Sequence, residues 1–294
     1  MYRRPGPLST LLWRSMIPAT SLLLRTANAL HLAVRHRIAW GTFVPRPDDL
    51  YIAAYPKSGT TLLQMMLHQL KTDGGMSFPH VNAVCPWIEV ELLRDNTGRL
   101  AALDSPRCFK THLLHRQLPP GGRFLYVVRD VRDVVVSAWH HARLLGGVGT
   151  LDDFTAGFLR RGWGASSTWF QHLRSWWPHR HDPNVLFLSY EQVIADLEGT
   201  ARRVATFAGL SLREEEVPRI VERCGLAFMK RHEEKFDTRL QGARPELQGF
   251  IRRGEATAGE ELSPAHRELL AGKLSALAAG LGCARGDPYR ELLV

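Results

Sequence analysis

Within seven residues, Tyr55-Pro56-Lys57-Ser58-Gly59-Thr60-Thr61, this chain gathers one ammonium, three aliphatic hydroxyls, a phenol and a glycine. Backbone N–H groups at a loop entering a helix point at an anion, and the helix dipole favours negative charge. Gly59 allows a close turn around such an anion, Ser58, Thr60 and Thr61 offer hydroxyl donors, and Lys57 brings a full charge. The order is unusual: in the nucleotide loop GxxxxGK[ST] the lysine follows the glycine, and here it precedes it. Taken alone, the segment reads as an anion site, with an ordinary Ser/Gly/Thr turn as the alternative. Two further groups could do chemistry with an anion. His112, in Phe109-Lys110-Thr111-His112, is one of 13 histidines and by residue type alone reads as a structural or surface histidine like most of the others, though an imidazole titrates near neutrality and suits proton abstraction. Arg129, followed by Ser137 on the next helix, offers the planar fork that grips phosphate oxygens in pairs, unless it pairs with Asp130 or Asp133 at the surface.

These groups need elements to hold them. Residues 50–55 read as a short buried strand, and Leu62, Leu63, Met66, Leu67 and Leu70 recur at helical spacing until Gly74-Gly75. Residues 76–105 read as loop plus short helix. Residues 107–111 and 123–128 are the next strands, and the second leads into a helix reaching about Leu145. Residues 149–181 read as helical and carry Trp163, Trp169, Trp176 and Trp177. Residues 185–188 are a fourth strand, and Val193, Ile194, Leu197, Ala201 and Val204 stripe one following helix. Ser211 with Glu214 has a capping-box pattern, and Ser263-Pro264 opens a last helix ending near Gly280. Strands apolar throughout and alternating with helices imply an α/β fold: a single P-loop-like domain with a central parallel sheet flanked by helices on both faces.

The 294 residues, 45% hydrophobic and 23% charged, suffice for a sizeable core. A net charge of +9 fits nucleic acid, a membrane surface or a polyanionic small molecule equally well. No nucleic-acid module or basic-aromatic interleaving is present, so no nucleic-acid partner is expected. Cys85, Cys108, Cys224 and Cys283 are far apart, without metal-ligand spacing. Scattered thiols suit a reducing cytoplasm, and neither a metal site nor a disulfide framework is expected. Before Pro45-Arg46-Pro47, Arg14, Arg25, Arg35 and Arg37 interrupt every apolar run, so no stretch reaches the ~20 residues of a membrane span. Leu23, Ala27, Leu30, Val34 and Ile38 mark one apolar helical face. That helix either packs on the domain or lies at a membrane surface with Arg35 and Arg37 toward anionic lipid. The expected division is an N-terminal extension, 1–47, and a main domain, 48–294.

Taken together, the motifs resemble those of the cytosolic-type sulfotransferases that use 3′-phosphoadenosine 5′-phosphosulfate (PAPS), and of their bacterial relatives. The hallmark loop Tyr-Pro-Lys-Ser-Gly-Thr-Thr is matched at every position from Tyr55 to Thr61. The resemblance implies that Lys57, Ser58, Gly59, Thr60 and Thr61 cradle the 5′-phosphosulfate. His112 would then be the general base, with Lys110 and Lys57 stabilising charge on the transferring group. By the same likeness Arg129, Ser137, Arg252, Arg253 and Gly254 hold the 3′-phosphate, and Tyr190 in Leu188-Ser189-Tyr190-Glu191 meets the adenine side. Leu62 stands where a tryptophan often stacks on adenine, and Leu226 where many members place a second aromatic. After Gly254 the chain continues Glu255-Ala256-Thr257-Ala258-Gly259-Glu260-Glu261, acidic where the family is basic. No C-terminal dimer motif is evident, and the oligomeric state stays open. The acceptor would be a small molecule with a hydroxyl, bound by residues 76–96 and 140–175. His80, Trp87 and Trp163 in those stretches suggest an apolar or aromatic alcohol or phenol. Two other readings remain: a P-loop nucleoside-triphosphate kinase or NTPase, and a non-catalytic binder of PAPS or its desulfated product PAP.

Overall fold

Four short apolar runs form a parallel sheet: β1 (Leu50–Ala54), β2 (Cys108–Thr111), β3 (Arg123–Val128) and β4 (Val185–Ser189), in the order β2-β1-β3-β4. The protein is described here by a computed structural model covering residues 40–147, 149–164, 167–237, 249–252, 254, 257, 259–283, 287, 289 and 290. The expected N-terminal helix face at 23–38, Arg253 and Glu255 lie outside these residues. Register aligns Leu50 with both Cys108 and Arg123, and Phe124 with Val185. All strands therefore end on one edge of the sheet. From β1 the chain moves to one side for β2 and to the other for β3. This places a crevice beyond the carboxyl ends of β1 and β3, where open α/β sheets bind ligands.

Strand alternation gives the sheet two different faces. Leu50, Ile52, Ala54, Cys108, Leu125, Val127 and Leu188 belong to an aliphatic core that also holds Leu63, Met66, Leu67, Ala201, Val204 and Ile220. Those residues come from helices α1 (Thr60–Lys71), α5 (Leu197–Ala208) and α6 (Val217–Cys224). The other face is aromatic. Tyr51 stacks on Phe124 at 5.2 Å, and Tyr126 lies between Trp176 and Phe187, 4.8 Å from each ring. Trp169, Trp176 and Trp177 are buried, so three of the four tryptophans in that stretch are core. At the far, amino end of the sheet, buried Arg107 donates two 2.7 Å hydrogen bonds to the carboxylate of buried Asp49.

Between β3 and β4 run α2 (Val131–Leu144), α3 (Leu151–Arg161) and α4 (Trp169–Trp176); α7 (Pro264–Gly280) comes last. The helical stretch expected over 149–181 is thus broken in two. Gly162 (φ 72°) ends α3, and Thr168 caps α4 by accepting the Gln171 N–H. Likewise the single helix expected after β4 is two, Tyr190–Ala195 and α5, because the Asp196 carboxylate accepts the Gly199 N–H and starts a new helix. The Ser211–Glu214 capping box does not form; a short 3-10 turn begins at Glu214, where Arg213 donates its N–H to Glu216. Ser263 does cap α7, accepting the His266 N–H. Residues 76–105 hold three short helices, Val81–Val84, Ile88–Leu93 and Thr97–Ala101.

By compactness, residues 45–88 and 103–294 form one unit, which carries the sheet. In a second, small unit the described residues are 40–44 and 89–102. There Glu91 accepts from Arg99 and Asn96 at 2.8 Å, and Trp40 meets Phe43 edge-on. Among the described residues no helix is long and apolar enough to cross a membrane.

Candidate active site

The loop leaving β1 is shaped by two left-handed residues. Lys57 sits at φ 70° and Gly59 at φ 103°, and the Ser58 N–H closes the turn onto the Tyr55 carbonyl at 3.2 Å. A side chain at 59 is excluded twice, by that backbone angle and by Tyr190, whose ring lies 2.5 Å from where a Cβ would be. The helix N-terminus that follows has no side-chain cap. Ser58 is buried, and its hydroxyl has no hydrogen-bond partner. An uncapped, partly buried helix start beside an orphaned hydroxyl and an ammonium fits a phosphate or sulfate group. The loop is tied from behind, because the Trp163 N–H donates to the Tyr55 hydroxyl at 2.7 Å. Burial pushes the Tyr55 phenol up to about 12, so it stays neutral.

The end of β2 delivers the second set. Lys110 Nζ lies 4.5 Å from the centroid of Trp87, and His112 meets the same indole edge-on at 5.1 Å. Trp87 is placed there because Lys110 N–H bonds to the Pro86 carbonyl at 2.8 Å, adding residues 86 and 87 to the sheet edge. His112 is 6% exposed, and its Nδ1 stands 2.7 Å from the Ala54 carbonyl. A carbonyl only accepts, so Nδ1 carries the proton and Nε2 is the ring's basic nitrogen. Burial, reinforced by Lys110, holds this imidazole well below the ordinary histidine pKa, hence neutral. Beneath it, the Tyr126 hydroxyl and His172 Nδ1 are 3.1 Å apart, and burial depresses His172 to about 3.

The end of β3 brings Arg129 over the Tyr190 ring at 4.5 Å, with Nη1 3.4 Å from the Lys57 carbonyl and Asp133 at 3.9 Å. Ser137 follows two turns along α2. Arg252 donates to Glu261 at 2.7 Å, and Gly254 (φ 66°) packs so closely that a Cβ there would meet Leu226 at 2.7 Å. Leu226 is 40% exposed.

The ends of the strands and the loop border one cavity of about 780 Å3. Lys57, Gly59, Thr60, Thr61, Leu62, Lys110, His112, Arg129, Ser137, Tyr190, Leu226, Arg252 and Gly254 line it; Ser58 is buried behind the loop. Arg253 lies outside the described residues. The same cavity wall also carries His80, Trp87, His141, Trp163 and Phe250. Lys57 Nζ lies 4.4 Å from the Phe250 ring. His80 has the tautomer opposite to that of His112, its Nδ1 accepting the Asn82 N–H at 3.0 Å.

The model of the sulfotransferase domain matches residues 47–262. This chain belongs to the PAPS-dependent sulfotransferase family. The sulfotransferase is 32% identical to rabbit (Oryctolagus cuniculus) sulfotransferase 1C2 over 231 residues, 72% of this chain and 77% of that one. It is 30% identical to luciferin sulfotransferase of Photinus pyralis over 248 residues, 72% of this chain and 66% of the other. Among solved structures, retinol dehydratase in complex with androsterone and the inactive cofactor PAP superposes with a TM-score of 0.70 at 25% identity. That match covers 83% of this chain and 84% of the other. The fold class expected for this sulfotransferase, a central parallel sheet flanked by helices, is the one found. Sequence reasoning missed three residues here: Tyr55 as the strut to Trp163, His172 beneath the His112 backbone, and Asp133 as a binder of Thr257 and Gly259. Only Asp133 left a trace, as an acid one turn after Arg129.

Proposed function

We propose that this sulfotransferase moves the sulfuryl group of PAPS to the hydroxyl of a small apolar or aromatic acceptor by in-line displacement. The observation that carries this is His112: its Nδ1 proton is committed to the Ala54 carbonyl while the ring borders the cavity beside Lys110. The donor supplies the sulfuryl group on a phosphate leaving group. His112 Nε2 takes the acceptor's proton, which a buried neutral imidazole can do without first losing one of its own. Lys57, Lys110 and the N–H groups of the loop stand ready for charge growing on the sulfuryl and bridging oxygens, fixed in place before reaction. The lysines provide this charge without a metal ion. Arg129, Ser137 and Arg252, with Arg253 and Gly254, are assigned to the 3′-phosphate, and Tyr190 and Leu62 to the adenine side.

The acceptor chamber is assigned to His80, Trp87, His141 and Trp163, which favour a phenol or apolar alcohol. A cytoplasmic location and the division at residue 47 belong to the same proposal, with the 23–38 face either packed on the domain or in peripheral contact with a membrane. A nucleoside-triphosphate kinase is disfavoured because Lys57 precedes Gly59 on the loop. The test is His112→Ala. Transfer should fall by about 10²–10⁴-fold while PAP binds as before; near-normal transfer would remove the base assignment.

A further inference from the structure

Of the three arginines assigned to the 3′-phosphate, Arg252 already has a close anion. Its Nη1 donates to Glu261 Oε1 at 2.7 Å, and the second carboxylate oxygen lies 2.7 Å from His140 Nε2. Burial favours the neutral acid at Glu261, but Arg252 and His140 outweigh it and hold the carboxyl below the usual range. Glu261 is not a loosely held surface acid, since its neighbours are pinned on both sides. Asp133, 3% exposed, accepts from Thr257 N–H at 3.0 Å, Thr257 Oγ1 at 2.9 Å and Gly259 N–H at 2.9 Å. Leu262 is buried, and its N–H bonds to the Gly259 carbonyl at 2.8 Å. His140 stands three residues after Ser137 on α2, so the two share a helix face. The ion pair of Arg129 with Asp133 is 3.9 Å long, and that carboxylate also receives the Thr257 and Gly259 donors.

Arg252 borders the cavity even while paired with Glu261. The Nη1 donor of Arg252 that is given to the Glu261 carboxylate cannot be given to a phosphate at the same time, so the two anions compete for it. We propose that Glu261 is a tethered competitor for the nucleotide's 3′-phosphate: it holds Arg252 in the empty enzyme, yields it to the bound nucleotide and so weakens retention of the bisphosphate product. His140 is a positioning residue that steadies Glu261 against α2. The inference rests on the assignment of Arg252 to the 3′-phosphate.

The test compares binding of PAP and of 5′-AMP, which lacks the 3′-phosphate, by titration calorimetry on the full chain. Glu261→Gln should tighten PAP by about three- to tenfold and leave 5′-AMP unchanged. His140→Ala should tighten PAP in the same sense by a smaller factor. In an Arg252→Gln background Glu261→Gln should have no effect on PAP, because the contested group is gone. An unchanged or weaker PAP affinity in Glu261→Gln, an equal change for 5′-AMP, or an effect that persists without Arg252 would each overturn the proposal. If melting shows Glu261→Gln to be misfolded, His140→Ala with and without Arg252 decides by the same criteria. Failure of the unaltered protein to bind PAP would instead remove the donor reading, and this inference with it.

Discussion

At the scale of single residues, function follows from which protons are already committed. His112 differs from His80, another histidine on the cavity wall, in the role of the nitrogen that faces a backbone partner: Nδ1 donates to Ala54 in the first and accepts from Asn82 in the second. Residue type could not distinguish them. The Lys-Thr-His context singled out His112, and the structure adds the reason its Nε2 is the basic atom. Because burial and Lys110 depress its pKa, the base form persists into mild acid. The kcat/KM profile, which reports the free enzyme, should therefore keep its plateau to below about pH 6.5, the ordinary histidine value. A descending acid limb at or above that value would contradict the burial argument. Leu62 and Leu226 show the opposite case. Both line the cavity, yet nothing in their chemistry alone would have put them on its wall.

At the scale of elements, the strand–loop–helix unit of β1 and α1 was legible because its signals are local: an apolar run, a glycine, then helical spacing. The breaks at Gly162 and Asp196 were not, since apolar spacing runs on through both and a cap decides them. The aromatic face was hidden for a different reason. Four tryptophans in one stretch look like a ligand site, but three of them fill the space under the sheet, and only Trp163 reaches the cavity. The loop itself makes two predictions. Gly59→Ala should lose at least ~1–2 kcal/mol of stability and weaken PAP binding, because φ 103° and the Tyr190 ring both oppose a methyl group. Chemical denaturation with calorimetry would show it, and unchanged values would refute it. Tyr55→Phe removes the acceptor of the Trp163 N–H, costing about 1 kcal/mol. Its effect on turnover should appear in the acceptor's KM rather than in donor binding, since Trp163 belongs to the wall assigned to the acceptor; steady-state kinetics with each substrate varied separates the two.

At the scale of the molecule, the parallel sheet brings the ends of β1, β2, β3 and β4 to one edge, so residues as far apart in sequence as Lys57 and Tyr190 share a wall. The same burial sets how stability depends on pH. His112 and His172 are neutral when folded, with depressed pKa values, whereas in the unfolded chain they titrate near 6.5. Below about pH 6.5 the unfolded state binds protons that the folded state excludes, so stability falls by ~1.4 kcal/mol per pH unit for each histidine. The melting temperature should accordingly drop between pH 7 and pH 5, and a flat profile would show that these histidines are not held neutral. Activity on the whole molecule gives the most direct test of the central claim. The protein is incubated with sulfur-labelled PAPS, a chelator and a panel of phenols, sterols, other apolar alcohols, glycans and lipid extracts, and the label is followed. The account predicts label on the hydroxyl of a phenol or apolar alcohol, with PAP released in equal amount. PAP binding with no labelled acceptor in any class, or magnesium-dependent turnover of ATP in its place, would contradict it.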